Sequence, residues 1–340
     1  MKKLNRPLIF LLLLGILLQI TIHKNMAHAQ EPVDGIPEGY KIIEGDIIVP
    51  ENFGDPDGIG VQSTFGDTAF WANGIVPFVF DANVTSINQT RMLAAMSLWE
   101  DVANVDFRPR SSETDFVHIR NSTVNRSSVG RQGGRQFIDI TSWNSTWIMA
   151  HELAHALGVW HEQSRPDRDN YIQINLDNIQ SGSEHNFEIR DAADVYPLEV
   201  YGLAADQTYD FDSVMHYGQC FFSIDCPSGS DCNCTNTTIS VRSPNQAWQT
   251  QIGQRTHLSH LDQLTMSFLY SENNWRFVDS TYSGAQNGNF IEPYRDYKQG
   301  INSTPSNGTL WIQPGRYSGT GVYNKPMILR APLGGVTLGP

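Results

Sequence analysis

The sequence predicts an α+β chain made of two unlike halves and a small β-rich end. Three observations predict it. Strand-like and helix-like runs alternate from residue 71 to residue 157. Regular patterning fades after His161, and residues 276–340 change material, to Gly, Ser, Asn and Pro around short strand-like runs. With 340 residues the chain can hold one substantial domain plus appendages. A formal net charge of −13 argues against nucleic acid, which demands clustered Lys and Arg.

Met1–Ala29 reads as a signal peptide. Lys2, Lys3 and Arg6 form a charged start, Leu8–Ile22 an apolar stretch short for a membrane span, and Ala27-His28-Ala29 a cleavage site. Removal after Ala29 would leave Gln30 first, with no membrane association and an extracellular location. Residues 30–61 are rich in Gly, Pro, Asp and Glu and hold one strand-like run, Tyr40–Pro50; their composition alone is that of a linker.

The main domain is expected over residues 62–275. Trp71–Phe80 reads as a turn followed by a strand. Ser86–Ala103 is a helix that Ser86 can cap, with Leu93, Met96, Trp99 and Ala103 in helical rhythm. Val105–Arg108, Asp115–Arg120 and Gln136–Thr141 read as strands, with a glycine turn at residues 131–135. Thr146–Leu157 is a helix capped by Ser145 or Thr146, and Leu258–Tyr270 a helix capped by Ser259.

Chemistry concentrates in HELAHALGVWH. His151 and His155 stand four apart, on one face of a helix, and can aim two imidazoles at one ion. Glu152 faces another way and can reach a water beside that ion. Gly158 can enter the left-handed region, end the helix and bring His161 back as a third ligand. Three neutral nitrogens leave a coordination position open, the plan of a catalytic zinc site and not of a closed structural one. Downstream, Ser213-Val214-Met215-His216-Tyr217 places a Met after the third His, as a Met-turn does; alone, Met215 would be core packing.

The longer string HELAHALGVWHEQSRPDRDNY, followed by SVMHYG, resembles the astacin family of zinc endopeptidases, within the metzincins. Glu162, Arg165, Asp167, Arg168, Asp169, Tyr171, Ser213, Met215, His216 and Tyr217 match its pattern, and Val159 stands where the family usually has Phe. The resemblance implies a metzincin-like catalytic domain whose two halves flank a cleft, with an edge strand that pairs with an extended peptide. It implies one Zn²⁺ on His151, His155 and His161, with Glu152 as general base. Tyr217 would stabilise the tetrahedral oxyanion and be an additional metal ligand. Met215 would lie under the ligands, and Glu162 would contact the N-terminus made by maturation. The Arg165–Tyr171 run reads as internal salt bridges. Astacin precursors carry a prosegment whose Asp ligates zinc. Ile43-Glu44-Gly45-Asp46-Ile47 is similar to it, with Ile43 for the usual aromatic, so residues 30–61 become a prosegment and Asp46 its inhibitory ligand. Phe53-Gly54-Asp55 is a poorer competitor.

Cys220, Cys226, Cys232 and Cys234 depart from the long-range bridges of many astacins. In a secreted chain they read as disulfides, with three pairings possible and local bridges favoured over one between Cys232 and Cys234. In residues 276–340, Thr309–Ile312, Gly321–Tyr323, Met327–Arg330 and Val336–Leu338 are strand-like and resemble one or two rungs of a parallel β-helix. The expected function is that of a secreted zinc endopeptidase acting on protein or peptide substrates, made as a zymogen. The competing reading is a secreted adhesion or glycan-binding protein that uses the β-rich end and holds zinc only structurally.

Overall fold

The computed structural model describes residues 35–51, 70–190, 209–226, 232–290, 292–319, 321–331 and 335–339. The expected signal peptide, its cleavage site, Phe53-Gly54-Asp55 and the start of the main domain at residue 62 lie outside the described residues. No described helix is long and apolar enough to cross a membrane.

The elements run β1 (Tyr40–Ile43), β2 (Ile47–Pro50), β3 (Ile75–Phe80), α1 (Ser86–Glu100), β4 (Asp106–Pro109), β5 (Phe116–Asn121), β6 (Arg126–Ser128), β7 (Arg135–Ile140) and α2 (Thr146–Ala156). There follow β8 (Ile172–Ile174), β9 (Ile239–Val241), α3 (His260–Leu269), β10 (Trp275–Val278), α4 (Tyr297–Ser303), β11 (Thr309–Ile312), β12 (Gly315–Tyr317), β13 (Ile328–Arg330) and β14 (Val336–Leu338). Gly321–Tyr323, expected as a strand, is not one, and Val322 is exposed. The run Tyr40–Pro50 is not one strand either. A positive φ at Glu44 (46°) and Gly45 (73°) folds it into the β1–β2 hairpin.

The first seven strands form one sheet in the order β1-β2-β6-β7-β5-β3-β4. β6 runs antiparallel to β7, and β2 pairs parallel to β6 through Ile47 with Ser127 and Ile48 with Ser128. The hairpin therefore covers an edge that would otherwise present unpaired backbone groups. Asp139, on β7, is fully buried between Arg120 of β5 (2.6 Å) and Arg126 of β6 (2.7 Å), an ionic clamp across three neighbouring strands.

α1 and α2 share a core with this sheet. The buried face of α1 is Met92, Ala95, Met96 and Trp99; Leu93 points outward, and the cap is Thr85, not Ser86. Trp99 donates from its indole to the Ala150 carbonyl at 2.9 Å. Beyond α2 the chain is a series of short 3₁₀ turns and the β8–β9 ribbon around a second core, which includes Tyr171, Phe187, Tyr209, Tyr217 and Phe222. Arg165 pairs with Glu162 (3.1 Å) and Asp167 (2.8 Å), the internal bridging expected of that run.

At the C-terminal end β10, β11 and β13 are parallel neighbours, as are β12 and β14. Gly300 lets α4 lie close on them, because a Cβ there would meet Val278 at 2.3 Å. Phe268 of α3 stacks on Phe290 (5.0 Å) and meets Trp311 edge-on (5.1 Å), so this end packs on α3.

Candidate metal centre

α2 carries two of the candidate ligands, and its ends show why it forms there. Ser145 accepts from the Ile148 amide at 3.3 Å at the N-terminus. The last carbonyls need donors from elsewhere. Trp71 gives one to Ala156 (2.8 Å), Tyr270 one to Leu157 (2.9 Å), and the Gly130 amide one to His155 (2.8 Å). Gly158 has a φ of 106°, and the chain turns there to bring His161 back.

The three rings converge. Nε2 of His151 lies 3.2 Å from that of His155 and 3.3 Å from that of His161. The Asp46 carboxylate reaches in from the hairpin turn, 3.3 Å from His151, 3.3 Å from His161 and 3.9 Å from His155. A tetrahedral site with bonds of 2.0–2.1 Å has edges of about 3.3 Å, so these donors have the spacing of one shared ion. Each ring spends Nδ1 on an outer partner. His151 donates to the Val214 carbonyl (2.8 Å), His155 to that of Val159 (2.7 Å) and His161 to the Glu44 carboxylate (2.8 Å). A carbonyl can only accept, so the proton sits on Nδ1 and the inner nitrogen offers a lone pair.

The electrostatics agree. Burial, with the charge of Arg255, holds His151 down to about 4, and burial beside the other two rings holds His155 well below its ordinary value. Burial also works against a charge on His161, yet Asp46 and then Glu44 push it up to about 9. Those carboxylates call for a cation at this ring, and a metal ion at Nε2 answers as a proton does. Burial alone would raise Asp46, but the facing His161 ring, with His151 and His155 beside it, holds it well below the carboxylate range. Asp46 Oδ1 is buried with no hydrogen-bond donor, as an atom kept for a metal would be. Asp46, His151, His155 and His161 form a group able to hold one metal ion, and among the described residues it is the only such group.

Glu152 is buried on α2, its Oε2 without a partner; burial and then Asp46 raise it well above the ordinary carboxylate value. Tyr217 stacks on Phe221 (4.9 Å), and its hydroxyl donates to the Glu44 carbonyl. Met215 is buried, and its carbonyl accepts from Glu162 N at 3.2 Å. His216 lies away from the ligands, held by Tyr209 (2.9 Å) and the Tyr217 carbonyl (2.7 Å). The cysteines pair Cys220–Cys234 and Cys226–Cys232, two local staples on the loop after Tyr217.

Three residues escaped the sequence. Glu44 is wholly buried and joins His161 to Arg190. Arg190 lies in a stretch with no motif. Arg255, whose charge acts on both His151 and Glu152, donates to the His216 carbonyl at 3.1 Å. Only for Glu44, inside the IEGD element, was there a signal.

Fold and site together define a protein built around one buried metal centre of three histidines and a carboxylate, set beside the edge of a mixed sheet. The family model described as Astacin, a peptidase family, matches residues 64–271, and the chain belongs to that family of zinc metalloendopeptidases. It is similar to Tolloid-like protein 2 of Mus musculus, 37% identical over 195 residues that make up 56% of this chain and 18% of that protein. Meprin A subunit beta of Mus musculus is 34% identical over 71% of this chain and 31% of its own length. The chain thus spans less than a third of either relative. High choriolytic enzyme 1 of Oryzias latipes is 31% identical over 68% of this chain and 78% of its own. The solved structure of that protein, a hatching enzyme zinc-protease, superposes with a TM-score of 0.51 at 30% identity, covering 63% of this chain and 98% of that one.

Proposed function

We propose that the chain is the precursor of a secreted zinc endopeptidase that cleaves peptide bonds in proteins. The observation that carries this reading is the near-tetrahedral spacing of three imidazole nitrogens and the Asp46 carboxylate, next to buried Glu152, whose Oε2 has no hydrogen-bond partner. His151, His155 and His161 would hold Zn²⁺ through Nε2. The ion supplies Lewis acidity, which polarises the scissile carbonyl and acidifies a nearby water. Glu152 takes the proton of that water on its carboxylate and passes it to the leaving amine. Tyr217 offers its hydroxyl to the oxyanion. Met215 serves as an apolar floor in a Met-turn. Arg255, whose charge acts on Glu152, favours the ionised form of that carboxylate.

Residues 30–61 act as a prosegment in this reading, and residues 1–29 as a cleaved signal peptide. Asp46 would be a fourth ligand to the ion, and β2 occupies the edge of β6 where a substrate strand would pair. Tyr217 is meanwhile engaged by the Glu44 carbonyl. Glu162, Asp210 and Asp262 lie in one acidic cluster, where a new N-terminal ammonium would be welcome. The domain spans residues 62–275, and the parallel strands of residues 276–340 form a β-helix-like extension.

The test is hydrolysis of an unfolded protein by precursor and prosegment-removed protein, with and without chelator, beside Glu152→Ala and an Asp46→Ala precursor. The expected result is activity in the processed protein and in the Asp46→Ala precursor, abolished by chelation, restored by zinc and absent in Glu152→Ala. A processed, folded, zinc-loaded protein with no activity would overturn the reading.

A further inference from the structure

The strands at the C-terminal end meet the main domain along a cleft of about 410 Å³, a volume within the range of small-ligand sites. It lies apart from the metal centre, since neither Asp46, Glu152 nor any of the three histidines lines it. Phe70, Asn73 and Asn104 come to it from the main domain, Trp275 of β10 and Asn289 from the C-terminal end. The main chain fixes the first group. Asn73 (φ 56°) and Gly74 (φ 71°) turn left-handed, and a Cβ at Gly74 would run into the Asn104 carbonyl, so this turn packs directly on Asn104. The Asn104 amide donates to the Tyr270 carbonyl at 2.8 Å. A non-glycine residue in the left-handed region costs energy and is kept where a side chain is wanted at that spot. Among the described residues no group bonds the side-chain amide of Asn73 or of Asn104. Asn289 spends its Oδ1 on the Glu292 amide (2.7 Å) and keeps its NH₂ for another acceptor. Phe70 and Trp275 are half-buried, so part of each ring stays open to the cleft.

This lining excludes most ligand classes. Arg276, the one cation among the described lining residues, donates to the Asn273 carbonyl (2.9 Å) and is balanced by Glu272, so an anion finds no net charge. One carboxylate is too few for a divalent cation. An extended peptide would want a strand edge, and the outer edge of β10 is taken. The Phe277 amide donates to the Gly288 carbonyl at 3.0 Å, and the Phe277 carbonyl accepts from the Tyr294 amide at 2.9 Å. Amides that both donate and accept, set among open aromatic rings, match a ring of hydroxyls with an apolar C–H face. We infer that this cleft binds a neutral saccharide, its C–H face on the rings of Trp275 and Phe70 and its hydroxyls on the amides of Asn73, Asn104 and Asn289. The site is independent of the zymogen reading, because no residue of the hairpin or of the metal centre takes part. It would hold the protein on glycan-bearing material.

The test is calorimetric titration of the full-length precursor with tri-N-acetylchitotriose, cellotriose and mannotriose. Expected is saturable binding of at least one of them, with a change in tryptophan fluorescence and a higher melting temperature. Asn73→Gly, which keeps the left-handed turn, and Asn104→Ala each weaken that binding by about 2- to 10-fold, the range of one hydrogen bond. Trp275→Ala weakens it by about 10-fold or more, as loss of a stacked ring does. Trp275 also packs on Trp311 (5.2 Å), so should its truncation unfold the C-terminal end, the two Asn variants carry the test. No binding of any of the three sugars overturns the proposal, as does binding that survives the Asn73→Gly/Asn104→Ala double variant. Tetra-alanine bound as tightly, with the same dependence on Asn104, overturns it too, by making the cleft a peptide site.

Discussion

In the proposed zymogen reading, Tyr217 serves two states. Its hydroxyl donates to the Glu44 carbonyl, and burial with the charges of Asp46 and Glu44 keeps the phenol protonated far above its ordinary value. A protonated phenol is what an oxyanion needs. Tyr217→Phe in the processed protein is expected to lower kcat by about 100- to 1000-fold, the cost of one oxyanion donor, with zinc content unchanged by metal analysis. The acidic cluster gives a prediction of another kind. Burial, then the charges of Asp262 and Glu162, push Asp210 up to about 8. A raised carboxyl binds its proton more tightly in the folded state. Its contribution to stability is therefore full below about pH 4 and is lost as pH rises toward 8. Urea midpoints of the precursor are expected to fall across that window, and Asp210→Asn to flatten the fall. Of these residues, Glu152 and Tyr217 were legible because the motif names them. Glu44 and Arg190 were not, since a buried ion pair 146 positions apart leaves no local pattern.

At the scale of elements, α2 is the best-specified piece. Ser145 sets its start, the His151–His155 spacing its face, and Gly158 its end, all within one stretch of sequence. Its C-terminal carbonyls are another matter, satisfied by Trp71, Gly130 and Tyr270 from three distant segments. The hairpin was half legible. Asp46 was marked by the IEGD element, but the alternation of Tyr40–Pro50 resembled one strand because the turn falls between two apolar runs that each read as strand. β6 is too short to carry a period, and it is fixed by Arg126 gripping Asp139. Asp139→Ala leaves Arg120 and Arg126 buried without their shared carboxylate. It is expected to cost about 3–5 kcal/mol in stability, read from the urea midpoint, and to loosen the edge that β2 covers.

For the whole molecule, the metal centre joins segments with little else in common. Two ligands come from α2, a third from the turn beyond it, and a fourth from the hairpin on the far edge of the sheet. Both disulfides close loops within residues 220–234, so neither ties the two halves together. An ion that binds only the native arrangement stabilises it by mass action, by about 4 kcal/mol at a thousandfold excess over Kd. Removing zinc is expected to lower the melting temperature of the precursor, and re-adding it to restore the value. Asp46→Ala should reduce the shift, because one ligand is gone. At the C-terminal end, Phe268, Phe290 and Trp311 bind the parallel strands to α3. The sequence marked these strands as unable to bury an apolar face alone, but which surface they pack on had no local pattern.

The sequence by itself determined the family, the three histidines, the glutamate beside them, the tyrosine after the methionine and the helix that orders them. Each of these depends on spacings of a few residues, and helix geometry converts such spacings directly into direction. The tertiary structure alone decided that β2 lies parallel on β6, that Cys220 bonds Cys234, and that Glu44 meets His161 and Arg190 in one buried pocket. Those are contacts between segments brought together by burial of a shared core, and burial constrains which surfaces meet without writing any period into the chain.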